Sequence, residues 1–429
     1  MKRFLVALSL IAAPLHALEV EAVTSPDGYA FWLVEEPQIP MIAMDFVFPG
    51  GAALEPADKA GATGFMMGML EEGSGARSDV EFATAREELA ASFGFSARRD
   101  EVSVSATMLS ENAAEAAALL SDALSAPRFD ETPLERVRGQ LMAGRAQDLQ
   151  DPNAIAQEAL SAAVFPDHAY GRPVNGTEET IPNLTAEDLE AARVAALGVD
   201  DVIISVVGDV SAEEAGALID EILADLPEEG ATPEAVPEMQ ASGLTEVIDL
   251  DTPQSVAIFG EEGLAQDDPD FLAAYVVNHI LGGGGFASRL TDELREKRGL
   301  TYGADTGLSL LDGAPMMVGQ FAASNERMAE AIEILRSEWA RMAEEGPTEE
   351  ELAKAKTYLT GSFPLRFDSN SKIAGVLAGF QRSGYDLDYI DRRNGLIEAL
   401  TIEDVRRAAS RLLDEERLRV VIVGQPGLD

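Results

Sequence analysis

Residues 281–308, LGGGGFASRLTDELREKRGLTYGADTGL, gather side chains that can act together on a polar group. Four glycines, Gly282, Gly283, Gly284 and Gly285, break one helix, and a second is expected over about 287–297. That helix carries Arg289, Arg295, Lys297 and Arg298 and ends at Gly299, a position suited to a left-handed cap. Leu300-Thr301-Tyr302 then reads as the start of a strand. Arg295 at the helix end and Tyr302 just past the turn can point into one cleft. A guanidinium and a phenol both donate hydrogen bonds, which suits a carbonyl or an oxyanion. Taken alone, the stretch also fits a plain glycine loop with Arg295 paired to a nearby acid. A phosphate cradle does not fit, because no G-K-[ST] follows and the net charge of −44 has the wrong sign.

Other chemistry is sparse. The chain has no cysteine and three histidines, His16, His168 and His279. Thiolate chemistry and disulfides are thereby excluded. A catalytic zinc needs converging imidazoles and carboxylates, and His168 and His279 lie far apart, so both read as structural. No G-x-S-x-G elbow supports a serine nucleophile. The acidic clusters stand at loops and helix starts, where a solvated surface is the ordinary explanation. Residues 61–75, GATGFMMGMLEEGSG, form an apolar segment rich in glycine and methionine where a ligand-bearing helix would make sense.

The elements that must position these residues repeat. Leu184-Thr185-Ala186-Glu187-Asp188-Leu189 matches Leu400-Thr401-Ile402-Glu403-Asp404-Val405, and Gly208 matches Gly424, both at an offset of 216. Ser110 and Ser324 open two amphipathic helices at an offset of 214, each serine expected as an N-cap, and a further helix follows each. Thr348 with Glu351 forms a capping box. So long a period means two homologous domains, over 18–226 and 244–429, joined by a Pro-, Ala- and Glu-rich linker at 227–243. Alternating segments such as MIAMDFVF and EVSVSATML, mixed with long helices, predict an α+β fold. Each domain is expected to be a mostly antiparallel sheet with helices packed on one face.

The first 17 residues pair a Lys2-Arg3 start with a short apolar run and a small residue at Ala17, as a secretory signal does. The run is too short to span a membrane, so an exported, periplasmic chain without membrane insertion is expected. The acid excess repels nucleic acid and anionic membranes and favours cationic or short unfolded peptides.

PGGAALEPADKAGATGF, FPDHAYGRPVNGTEETIPNLTAEDL, VVGDVS, ILGGGGFASRLTDELREKRGLTYG and LTIEDV together resemble the pitrilysin/insulinase clan of zinc peptidases. The resemblance is to the branch that includes the mitochondrial-processing-peptidase-like bacterial proteins, and it spans roughly residues 20–425. Active members carry H-x-x-E-H on a helix of the first domain and a distal glutamate about 75 residues on. Laid on this sequence, the two histidine positions are Gly64 and Gly68, and the water-activating glutamate is Met67. The distal position falls near Gly144 or Arg145. The resemblance therefore implies no cofactor bound by this chain and zinc in a homologous partner. It assigns Arg295 and Tyr302 to the substrate carbonyl and the transition-state oxyanion, with Gly282–Gly285 as substrate-binding positions. The implied function is the non-metal subunit of a periplasmic heterodimeric zinc peptidase acting on peptides. The alternative is a catalytically inactive peptide-binding or scaffold protein of the same fold.

Overall fold

A computed structural model describes residues 19–236, 239–240 and 243–427. The signal assigned to residues 1–17, His16 included, lies outside them. Thirteen strands form two large sheets and one short ribbon. The first half supplies β1 (Glu21–Thr24), β2 (Ala30–Glu35), β3 (Met41–Pro49), the ribbon β4 (Gly73–Ser74) and β5 (Arg77–Ser78), then β6 (Ser92–Ala97), β7 (Glu101–Leu109) and β8 (Ile203–Gly208). The second half supplies β9 (Thr245–Asp249), β10 (Gln254–Glu262), β11 (Ala304–Leu311), β12 (Ala314–Ser324) and β13 (Arg419–Gly424).

The first sheet runs β1-β2-β8-β3-β7-β6 and the second β11-β12-β10-β13-β9. Read from opposite ends the two orders coincide, except that the second sheet has no counterpart of β1. In each sheet one pair is parallel, β2 with β8 and β9 with β13, and the remaining pairs are antiparallel. The expected α+β architecture with mostly antiparallel sheets holds. Both repeated LT-x-[ED]-D segments open helices through the same capping box, Thr185 with Asp188 and Thr401 with Asp404. The Thr348–Glu351 box forms as well. Ser110 and Ser324 cap nothing: each stands at a 3-10 turn ahead of its helix, and the Ser110 hydroxyl donates instead to the carbonyl of Asp209 at 3.0 Å.

Strand alternation sorts side chains to two faces. On the first sheet Leu33, Met44 and Val206 point into the main core with the helices Ala62–Met69, Ala113–Ser125, Ala186–Ala196 and Ala212–Leu223. Their neighbours Val34, Ala43 and Val207 point the other way, onto Ile373, Ala374 and Leu377 of the helix Asn370–Arg382. That helix belongs to the second half. The second sheet is treated in kind, because Val256, Ile258, Val421 and Val423 pack on Ala156, Leu160 and Val164 of the helix Pro152–Val164 from the first half. The two exchanged helices occupy matching places in the repeat. The halves thus interlock through apolar burial, which non-local packing rather than local propensity supplies.

Polar contacts hold the same junction. The Tyr170 hydroxyl donates to Asp100 and lies 3.0 Å from the carbonyl of Asp312; the Asp312 N–H donates to Asp100 at 3.2 Å. Arg382 pairs with Asp312 at 2.6 Å.

Candidate functional site

The glycine run and its flanks are not plain α-helix. After the helix Phe271–Asn278 the chain widens into a π turn over His279–Gly283 and tightens into a 3-10 turn over Gly285–Ala287. Ser288 caps a short α-helical piece, Arg289–Thr291, which widens again into a π turn over Asp292–Glu296. The expected continuous helix over 287–297 is corrected accordingly. Such widened turns in succession are uncommon, and π-bulges concentrate at functional sites. Gly282 is required by close approach, since a Cβ there would stand 2.4 Å from Thr306 Oγ1 on β11. Gly285 sits at φ +57°, in the left-handed region. Gly283 is exposed, whereas Gly282 is buried.

Gly299, at φ +60°, ends the segment as the sequence suggests. The Leu300 N–H bonds to the carbonyl of Leu294 at 2.7 Å and the Gly299 N–H to that of Arg295 at 2.8 Å. Leu294 and Leu300 are both buried, the apolar contact that accompanies this type of helix end. Tyr302 does not begin a strand; β11 starts at Ala304, and Tyr302 lies in the bend before it. Thr301 shapes that bend, its hydroxyl donating to the Gly303 carbonyl at 2.7 Å.

The bend leaves Tyr302 86% exposed with no hydrogen-bond partner. Arg295 lies over the ring of Phe286, 4.5 Å from its centroid, and Phe286 is itself 74% exposed. The acid nearest Arg295 is Glu296 at 3.5 Å, too long for a hydrogen bond under good geometry. The other cations of the segment are committed. Arg289 binds Glu351 through two nitrogens, one at 2.7 Å, and also the Gly346 carbonyl; Lys297 binds Asp292 and Glu293, and Arg298 binds Glu293. Arg295 therefore keeps most of its donors available. Phe286 is the residue sequence reasoning missed here; its place four residues after Gly282 in an otherwise polar stretch was the available signal.

The stretch that aligns with a zinc motif is filled. Met67 is buried, Gly68 is exposed, and both lie on the helix Ala62–Met69. A side chain starting at Gly64 would meet Asn175 Oδ1 at 3.4 Å and the Val174 carbonyl at 3.6 Å. At Gly68 the neighbour is Val137. Glu71 is held by Arg86 and Glu72 by Arg136, so neither carboxylate is a spare ligand. Arg145, at the distal position, is buried and bound to Glu158 and to Glu178, the latter at 2.9 Å. A cation already sits where a metal's distal ligand would stand, and this donor set does not fit zinc. Among the described residues no group of three or more His, Asp or Glu could hold a metal ion. His168 is buried and structural, its Nδ1 accepting from the Tyr170 N–H at 3.2 Å. His279 stacks on Tyr358 at 5.0 Å, and burial lowers its pKa.

No helix among the described residues is long and apolar enough to cross a membrane. Residues 31–178 match the family profile of Insulinase (Peptidase family M16), and residues 183–359 match that of the Peptidase M16 inactive domain. The chain is 24% identical over 411 residues to the "Non-peptidase homolog YmxG" of Helicobacter pylori, covering 94% of each. It is also 24% identical to the "Uncharacterized zinc protease YmxG" of Bacillus subtilis, covering 92% of this chain and 96% of that one. Among solved structures, a peptidase M16 inactive domain from Pseudomonas fluorescens superposes with a TM-score of 0.89 at 29% identity, covering 96% of this chain and 98% of that one. With both halves matched and the zinc-motif positions occupied by Gly64, Met67 and Gly68, the chain belongs to the insulinase family, peptidase family M16, as an inactive homologue.

Proposed function

We propose that this chain is the zinc-free subunit of an exported, periplasmic heterodimeric metallopeptidase, lending Arg295 and Tyr302 to an active site whose zinc sits in a homologous partner. The observation that carries the reading is the contrast within residues 289–302. Three neighbouring cations are spent on carboxylates, while Arg295 is propped on Phe286 and Tyr302 is left without a partner. A fold that has lost its metal ligands has no internal need for that exposure. A guanidinium and a phenol donating to a developing oxyanion, opposite a zinc-bound water, supply the charge stabilisation that peptide hydrolysis needs. The substrate class is peptide, and the net charge of −44 favours cationic or short unfolded chains.

Mixing tests it. The purified chain alone should show no peptidase activity, and a homologous zinc-bearing chain from the same organism should gain chelator-sensitive activity when the two are combined. Chelator-sensitive cleavage by this chain alone, or no gain on mixing with such a partner, would overturn the reading. In the latter case a peptide-binding scaffold becomes the better description.

A further inference from the structure

The helix Asn370–Arg382 turns one stripe of side chains onto the first sheet. Its other side borders a cavity of about 630 Å³. Gly375 and Gly379, four residues apart, form part of the cavity wall, and nothing lies within 4 Å of a Cβ built on Gly379. Around them stand Leu365, 73% exposed, together with Val376, Phe380 and Tyr385. Arg366 is at the rim and makes no hydrogen bond or ion pair among the described residues. In a chain carrying 76 acidic and 32 basic residues, a guanidinium left without a carboxylate is unusual. Lys372 at the same rim is paired with Asp368 at 2.6 Å.

A second arginine reinforces the charge. Arg393 is buried behind the rim, its guanidinium 4.3 Å from the ring centroid of Phe363, and it binds only Asn394 and the Leu359 carbonyl. Burial lowers its pKa, and repulsion from nearby Arg366 adds to the shift. Asp45 is the one carboxylate close to the glycine wall, its Oδ2 4.0 Å from a Cβ built on Gly375. A bound anion is therefore favoured at Arg366 and disfavoured at Gly375.

We propose that this cavity binds the C-terminus of a peptide ending in large apolar residues, its carboxylate on Arg366 and its last side chains among Leu365, Val376, Phe380 and Tyr385. A fatty acid shares that chemistry. The peptide is favoured because Gln266 on the wall makes no hydrogen bond of its own, and its amide can pair with a peptide group that a fatty acid lacks. The site is separate from Arg295 and Tyr302 and needs no partner chain, so it stands or falls independently of the divided active site.

Fluorescence anisotropy on the full chain alone tests it, using the labelled pentapeptide Gly-Ser-Ala-Leu-Phe, its C-terminal amide, and decanoate as competitor. The free acid should bind on the order of tenfold tighter than the amide, as a charge-assisted contact implies. Arg366→Ala should erase that difference without changing the melting temperature, since Arg366 makes no contact that folding needs. Gly379→Leu fills the cavity while keeping a helix-forming residue, and should abolish binding. Equal binding of acid and amide, or binding unaffected by Gly379→Leu, would overturn the proposal. Displacement by decanoate at lower concentration than by unlabelled pentapeptide would overturn the peptide assignment in favour of a lipid carboxylate.

Discussion

The first helix after the third strand of one sheet and its counterpart in the other half have met opposite fates. Ala62–Met69 is short, apolar and fixed: its N-terminus is held by Glu55, which accepts from the Gly61 and Thr63 N–H groups at 2.8 and 2.6 Å, and Met66, Met67 and Met69 are buried. Phe271–Asn278 starts as apolar, then runs into glycines, two π turns and an exposed Arg295 and Tyr302. The same scaffold position has become core in one half and a presented polar surface in the other. Duplication leaves both copies with the same packing duties, so chemistry survives only in the copy whose irregular turns keep side chains out of the core.

Restoring the ligands is the harshest way to break that contrast. Gly64→His, Met67→Glu and Gly68→His together place a carboxylate at a site only 3% exposed. Stability should fall by about 3 kcal/mol or more, from the unpaired buried acid alone. Arg145 still occupies the distal place, so elemental analysis should find no stoichiometric zinc; a tightly bound metal would show that the first-half site is merely vacant rather than rebuilt.

The exchanged helices predict near-equal behaviour of the two halves. Leu160→Ala and Leu377→Ala each empty a fully buried position against the other half's sheet and should each cost about 3 kcal/mol in denaturant unfolding. A large loss for one and a negligible loss for the other would show that the interlock is one-sided.

Two carboxylates sharpen the picture through pH. Burial raises the Asp45 carboxyl, on the face covered by Asn370–Arg382, to about 7. The folded form thus holds a proton that the unfolded chain releases near its ordinary value of 3.8. The stability this gives is complete below that value and is lost as pH rises towards 7. Asp45→Asn should be more stable than the parent at pH 8, by about 2 kcal/mol, and indistinguishable near pH 3.5. Glu351 goes the other way: burial opposes its charge, but Arg289 and the Thr348 cap hold its carboxyl down to about 2. Its contribution is present above pH 4.5 and is lost as pH falls towards 2. Arg289→Ala should cost about 1–2 kcal/mol at pH 7 and flatten that acid limb. Arg295→Ala, by contrast, should change stability by less than about 0.5 kcal/mol, since no carboxylate holds it closely.

Much of this was legible in the sequence because it is local or repeated. Alternation marked β3 and β7, the matching LT-x-[ED]-D segments marked two capping boxes, and Gly208 and Gly424 marked two equivalent strand ends. Arg295 and Tyr302 were legible as a pair because seven residues and a glycine cap separate them. The exchange of helices was not, since Leu160 and Leu377 sit on ordinary amphipathic patterns that do not say which sheet they cover. The π turns were hidden because a widened hydrogen-bond ring leaves no residue signature beyond the glycines. Ser110 and Ser324 misled for a related reason: a serine before a helix signals a cap only if no 3-10 turn intervenes.

The most direct test is turnover by the reconstituted complex in which this chain alone carries Arg295→Ala or Tyr302→Phe. A divided active site predicts that each substitution lowers kcat by about 10²-fold with the complex and its zinc content intact, as loss of an oxyanion donor does. Wild-type kcat in both variants would contradict it.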